Sequence, residues 1–89
     1  MQVTIHKYQF DGVTELKLEL PDLFMVLDFQ TQRGVPTFWI ERPVDATVFK
    51  KYTFKLLPTG AVFEDDSTYE GSAQLFAGDI VLHLYSKCE

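Results

Sequence analysis

The sequence predicts an all-β fold, an antiparallel sandwich or small barrel of about seven or eight short strands, and three observations carry that expectation. Apolar residues recur with a period of two, as where Leu16, Leu18 and Leu20 alternate with Glu15, Lys17 and Glu19. Turn-forming clusters such as Asp11-Gly12, Pro21-Asp22, Arg33-Gly34, Pro58-Thr59-Gly60 and Ala77-Gly78-Asp79 break the chain at short intervals. Eight Phe, four Tyr and one Trp among 89 residues suit a thin β core, since each large ring buries roughly 150–250 Å².

Taken in order, Gln2 to Phe10 reads as a first strand. Val3 and Ile5 share one parity and Tyr8 and Phe10 the other, so a bulge is expected near His6-Lys7. Asp11-Gly12 reads as a two-residue hairpin turn into Val13–Leu20, whose leucine face is core and whose charged face is wet. Leu23 to Thr31 is apolar on both parities until Asp28, which suggests a strand covered on both faces or central in its sheet. Arg33-Gly34 then turns the chain into Val35–Arg42, and Pro43 ends that strand because proline cannot donate to a ladder. Val44 to Lys51 has room for a helical turn. Val48 to Leu57 is again a strand, with Tyr52, Phe54 and Leu56 inward and Lys51, Thr53 and Lys55 outward. Ala61–Phe63 reads as a short strand and Glu64–Thr68 as a polar loop. Tyr69–Phe76, interrupted by Gly71, reads as a strand that also has room for a helical turn within Glu70–Leu75, and Ile80–Tyr85 closes the fold.

One domain over 1–89 is expected, because a shorter piece could not bury a core of its own. The lone Cys88 leaves no intrachain disulfide. The opening MQVTIHKYQF lacks the charged-then-apolar pattern of a signal peptide, and no run approaches the roughly 20 apolar residues of a membrane span. A soluble intracellular protein is the expectation. The net charge of −5 belongs to the last third, where Lys87 stands alone against Glu64, Asp65, Asp66, Glu70, Asp79 and Glu89. Without a broad basic face, duplex nucleic acid is not an expected partner.

Most of the chain, through IHKYQF, VPTFWIE, YTFKLLPTGAVF and YEGSAQLFAGDIVLHLY, resembles a family of small uncharacterised bacteriophage proteins. The resemblance rests on strand-and-turn patterns and implies no set of functional residues. It implies a phage accessory product acting in the host bacterial cytoplasm, where small proteins of this kind often counter host defences.

Catalytic and metal-binding patterns are missing. His6 and His83 with Asp79 lack the close pairing of zinc ligands, and Asp65-Asp66 with Glu70 lacks the alternation and central Gly of a calcium loop. There is no glycine-rich phosphate loop, no nucleophile elbow at Ser67, Ser72 or Ser86, and no electropositive niche for Cys88. Neither an enzyme nor a cofactor is expected. Binding is better supported. Trp39 cannot face the same way as Phe38 and Ile40, so it is either a sandwich-core residue, the more usual place for such a ring, or the lining of a pocket or an interface. Arg33 and Arg42 flank its strand, and Lys50, Lys51 and Lys55 follow on the next. An aromatic plate beside guanidinium and ammonium groups suits a nucleotide, so Trp39, Arg33, Arg42, Lys50 and Lys51 are the candidate ligand-binding residues. The alternative is an acidic surface for a basic host protein, carried by Asp65, Asp66 and Glu70; a phage structural component is the third reading. Homo-oligomers are expected in every case, because a sheet of this size leaves edges to manage.

Overall fold

Seven strands run through residues 1–89 of the computed structural model: β1 (Val3–Gln9), β2 (Glu15–Pro21), β3 (Met25–Gln32), β4 (Val35–Pro43), β5 (Phe49–Pro58), β6 (Thr68–Leu75) and β7 (Ile80–Cys88). A single 3-10 turn at Phe76–Gly78 links the last two. All pairing is antiparallel, in a three-stranded sheet ordered β1-β4-β3 and a four-stranded sheet ordered β2-β5-β7-β6. No helix is long and apolar enough to cross a membrane.

The β3–β4 hairpin forms as expected. Gln32 pairs with Val35 across a turn in which Arg33 has φ 53° and Gly34 φ 80°. Two successive left-handed residues make the turn whose twist matches that of the flanking strands. Asp11-Gly12, by contrast, is no hairpin turn. It carries the chain from one sheet to the other: Phe10 N–H donates to Pro36 O at 3.0 Å on β4, and Leu56 N–H on β5 donates to Thr14 O at 2.9 Å. Phe10 is buried against Phe38 as the chain leaves β1, and the strand that follows pairs with β5 rather than with β1.

The core lies where the two inner faces meet. Phe38 of β4 and Phe54 of β5, both fully buried, stack with centroids 4.9 Å apart, and Phe10 and Tyr8 also pack against Phe38 at 5.6 and 5.5 Å. Leu20, Phe29, Ile40, Leu56, Ala73 and Leu84 complete the buried set.

Several expectations need correction. β1 has no bulge; it pairs without a break from Val3↔Pro43 to Gln9↔Thr37, and Val3 and Ile5 face outward. The bulges lie in β3 between Val26 and Asp28 and in β6 between Tyr69 and Gly71. β3 is an edge strand rather than a doubly covered one, with Met25 and Leu27 exposed, because β4 takes the central place. Ala61–Phe63 forms no strand: Ala61 N–H closes a turn on Pro58 O, and the Phe63 ring leaves the sheet to meet Tyr85 edge-on at 4.9 Å. Val44–Val48 holds no helix and Glu70–Leu75 lies in β6. β7 runs on to Cys88 rather than stopping at Tyr85, because β5 offers it partners as far as Tyr52.

Candidate functional site

Trp39 owes its position to the alternation of β4. Phe38 and Ile40 are fully buried, so the residue between them must turn out of the sandwich. The expectation of a core Trp is thereby corrected: two apolar side chains outweigh one in choosing which face of β4 looks inward. The ring is half-buried on the outer face of the three-stranded sheet, in one cross-strand row with Lys7 on β1 and Asp28 on β3. Beside it lies an open hollow of about 340 Å³, lined by Ile5, Leu27, Asp28 and Gln30. Asp28 is oriented by its own neighbours, accepting the Phe29 N–H at 2.9 Å and Gln30 Nε2 at 2.6 Å. Lys7 Nζ donates to Gln32 Oε1 at 3.1 Å.

From Ile5 and Leu27 the apolar surface continues through Val3 and Met25 to one end of the sandwich. Pro21 and Pro43 end β2 and β4 there, and the chain peels away into two connections that meet beside Met1. Two adjoining hollows of about 240 Å³ each result, sharing Met1, Leu23 and Pro43. Val3, Phe24, Met25, Glu41 and Arg42 line one; Pro21, Asp22, Asp45 and Val48 help to line the other. Leu23, Met25, Val44 and Val48 are all exposed around this groove, an unusual concentration for a small chain. The Arg42 guanidinium carbon stands 5.4 Å from the centre of the Phe49 ring, a cation held over an aromatic face. Lys50 Nζ is 3.4 Å from Asp22 Oδ1 on the same rim.

The structure gathers only part of the predicted set. Arg42 and Lys50 share the sandwich end, and Trp39 lies on the adjoining face. Arg33 is at the hairpin tip, separated from Arg42 by the 9-residue β4, about 30 Å of extended chain. Lys51 looks outward from the other sheet, paired across from Glu19. The acidic trio is likewise divided. Asp66 bonds Lys87 at 2.6 Å, which holds its carboxyl below the ordinary value and raises the lysine. Glu70 turns into a hollow between the sheets beside Phe24, Tyr52 and Cys88, accepting a hydrogen bond from Ser86 Oγ at 2.8 Å. Burial pushes the Glu70 carboxyl up, and the Ser86 bond offsets part of that rise. Asp65 is exposed. His6 and His83 fall in different sheets, and His83 bonds Ser72 Oγ at 2.6 Å and Thr59 Oγ1 at 2.8 Å. No three His, Cys, Asp or Glu side chains converge as metal ligands would.

Met1, Leu23, Val48 and Phe49 escaped sequence reasoning. For Leu23, Val48 and Phe49 the signal was weak but present: apolar residues that open the strands following Pro21 and Pro43.

Fold and surface together define a small all-β sandwich with an exposed apolar groove at one end. A family model described as a domain of unknown function (DUF7352) matches residues 1–89, and the chain belongs to that family. No curated protein and no solved structure matches it.

Proposed function

We propose that the protein is a non-catalytic binding module that sequesters a nucleotide-derived signalling molecule at the sandwich-end groove. The observation that carries this reading is Arg42, which stands over the Phe49 ring and lines, with Glu41, a hollow whose other walls are apolar. A base offers a flat apolar plate and a phosphate offers an anion for a guanidinium fork, the pair of features the groove is built to meet. Lys50 adds a second cation on the rim. The wider setting, a phage accessory product countering immunity in the bacterial cytoplasm, belongs to the same proposal and is supported by the resemblance of the strand-and-turn segments.

Isothermal titration with cyclic dinucleotides and ADP-ribose derivatives tests it. Saturable heat is expected from at least one, weakened about tenfold or more by Arg42→Ala through loss of a charge-assisted contact. Flat traces with every compound would remove the small-molecule reading.

A second reading, a protein partner, is favoured by one observation. Asp22, Glu41 and Asp45 stand on the groove walls among the exposed apolar side chains, and mixed charge around an apolar centre is typical of protein docking surfaces. In that case Leu23→Asp abolishes capture of the partner while Asp65→Lys leaves it intact. The reverse pattern would shift the interface to the acidic third.

A further inference from the structure

We propose that the outer face of the three-stranded sheet is an interface between two copies of this chain, paired about a two-fold axis that lies between them, parallel to β4 and passing between the two Trp39 rings. Lys7, Trp39 and Asp28 occupy one row across the sheet, in that order, with the ring in the middle. The chain's three ion pairs use neither Lys7 nor Asp28, so each carries a charge that is hydrogen-bonded but has no ion-pair partner, beside the half-buried Trp39 ring.

When a second copy faces the first, an axis along β4 exchanges the two sides of the sheet. Lys7 of each copy then lies against Asp28 of the other, Trp39 meets Trp39, and Ile5 in the next row meets Met25. An axis across the strands would instead set Lys7 on Lys7 and Asp28 on Asp28. Charge therefore selects one of the two arrangements, and the same patch serves both copies as an isologous interface requires. Packed sheets keep their strands within about 30° of each other, which this axis allows. The axis also brings Glu41 close to its own counterpart, the one unfavourable contact in the set. With strands about 4.8 Å apart, three of them make a narrow face, so the dimer belongs to the weak, concentration-dependent class. Because the axis follows β4, both Arg42 ends lie at the same end of the pair, and Met25 and Glu41 contribute both to the interface and to the groove wall.

Sedimentation of the full chain over a wide concentration series tests the inference, with circular dichroism to confirm that each variant is folded. The mass should rise from 10.3 kDa towards twice that value, with a blue shift of the lone Trp39 fluorescence as its ring leaves water. Lys7→Asp and Asp28→Lys should each weaken association about tenfold or more, and the double exchange K7D/D28K should restore it. Glu41→Gln should tighten it. A mass fixed at 10.3 kDa at every concentration, or single variants that associate as the parent does, would overturn the pairing. So would a double exchange that fails to recover while remaining folded.

Discussion

Gly71 and Phe29 meet where the edges of the two sheets converge: a Cβ on Gly71 would stand 3.4 Å from the Phe29 Cβ. Gly71 sits at the β6 bulge, and Phe29 is a buried residue of β3. Near it, Thr31 Oγ1 donates to Gln74 O at 3.0 Å, so this side of the sandwich is seamed by contact rather than by a ladder. A methyl at position 71 comes to the lower limit of ordinary van der Waals contact with the Phe29 Cβ, and a branched side chain adds atoms for which that contact leaves no room. Gly71→Ala is expected to cost about 1 kcal/mol and Gly71→Val about 2–3 kcal/mol by overpacking, read from urea midpoints at constant slope. Equal stability of the valine variant would mean that the two edges stand further apart.

The Phe38–Phe54 stack is the contact that joins the sheets at their centre. Phe38 also packs against Tyr8 and Phe10, and it is fully buried, so removing it leaves a cavity that several rings cannot all move to fill. Phe38→Ala should cost about 3–5 kcal/mol, a large share of the 5–15 kcal/mol typical of a small domain. Phe38→Leu should cost appreciably less. Chemical denaturation checks both, and a loss below about 1 kcal/mol for the alanine variant would show that the core does not hinge on this ring.

Much of this fold was legible because local rules and burial agree. Leu16, Leu18 and Leu20 alternate cleanly and face the core, and Arg33-Gly34 turns where a positive φ was needed. What escaped was information that no local pattern holds. Asp11-Gly12 has the composition of a hairpin turn, yet the strand that follows pairs with β5 rather than with β1. β3 reads as doubly covered, but its neighbours are set by strand order, and an apolar edge strand looks the same in sequence as a central one. The candidate site suffered likewise. Spacing set Arg33 and Arg42 at the two ends of the Trp39 strand, about 30 Å apart, but could not tell which end opens into an apolar groove. Arg42 reaches Phe49 only because Pro43 and the following connection fold one strand end over the next.

Arg33 holds a left-handed conformation, φ 53°, that a long L side chain adopts only at a cost of about 1 kcal/mol or more. Asn tolerates that region better, and Asn-Gly is the preferred pair for this turn. Arg33→Asn should therefore stabilise the protein by about 0.5–1 kcal/mol and raise the melting temperature by a few degrees. Because Arg33 lies at the far end of β4 from the groove, ligand uptake should be unchanged. Weaker uptake by this variant would relocate the site to the hairpin tip.

The half-buried Glu70 gives the fold a pH dependence of definite sign. Its carboxyl is raised above the ordinary 4.5 chiefly by burial, so between the unfolded and folded values the native state binds more protons than the unfolded chain. Stability from this group falls as pH rises through that interval; the penalty is complete above the folded value and absent below the unfolded one. Glu70→Gln removes the charge and keeps a carbonyl oxygen for the Ser86 hydroxyl to donate to. The variant should be more stable than the parent at neutral pH, and the advantage should shrink to nothing once the medium is well below 4.5. Asp66 and Glu89, both depressed by hydrogen bonds, act in the opposite direction and lose their contribution as pH falls. They are common to both proteins, so the difference between the two urea-midpoint curves isolates Glu70. Curves that run parallel across the whole range would mean that its carboxylate is as well solvated in the fold as in the unfolded chain.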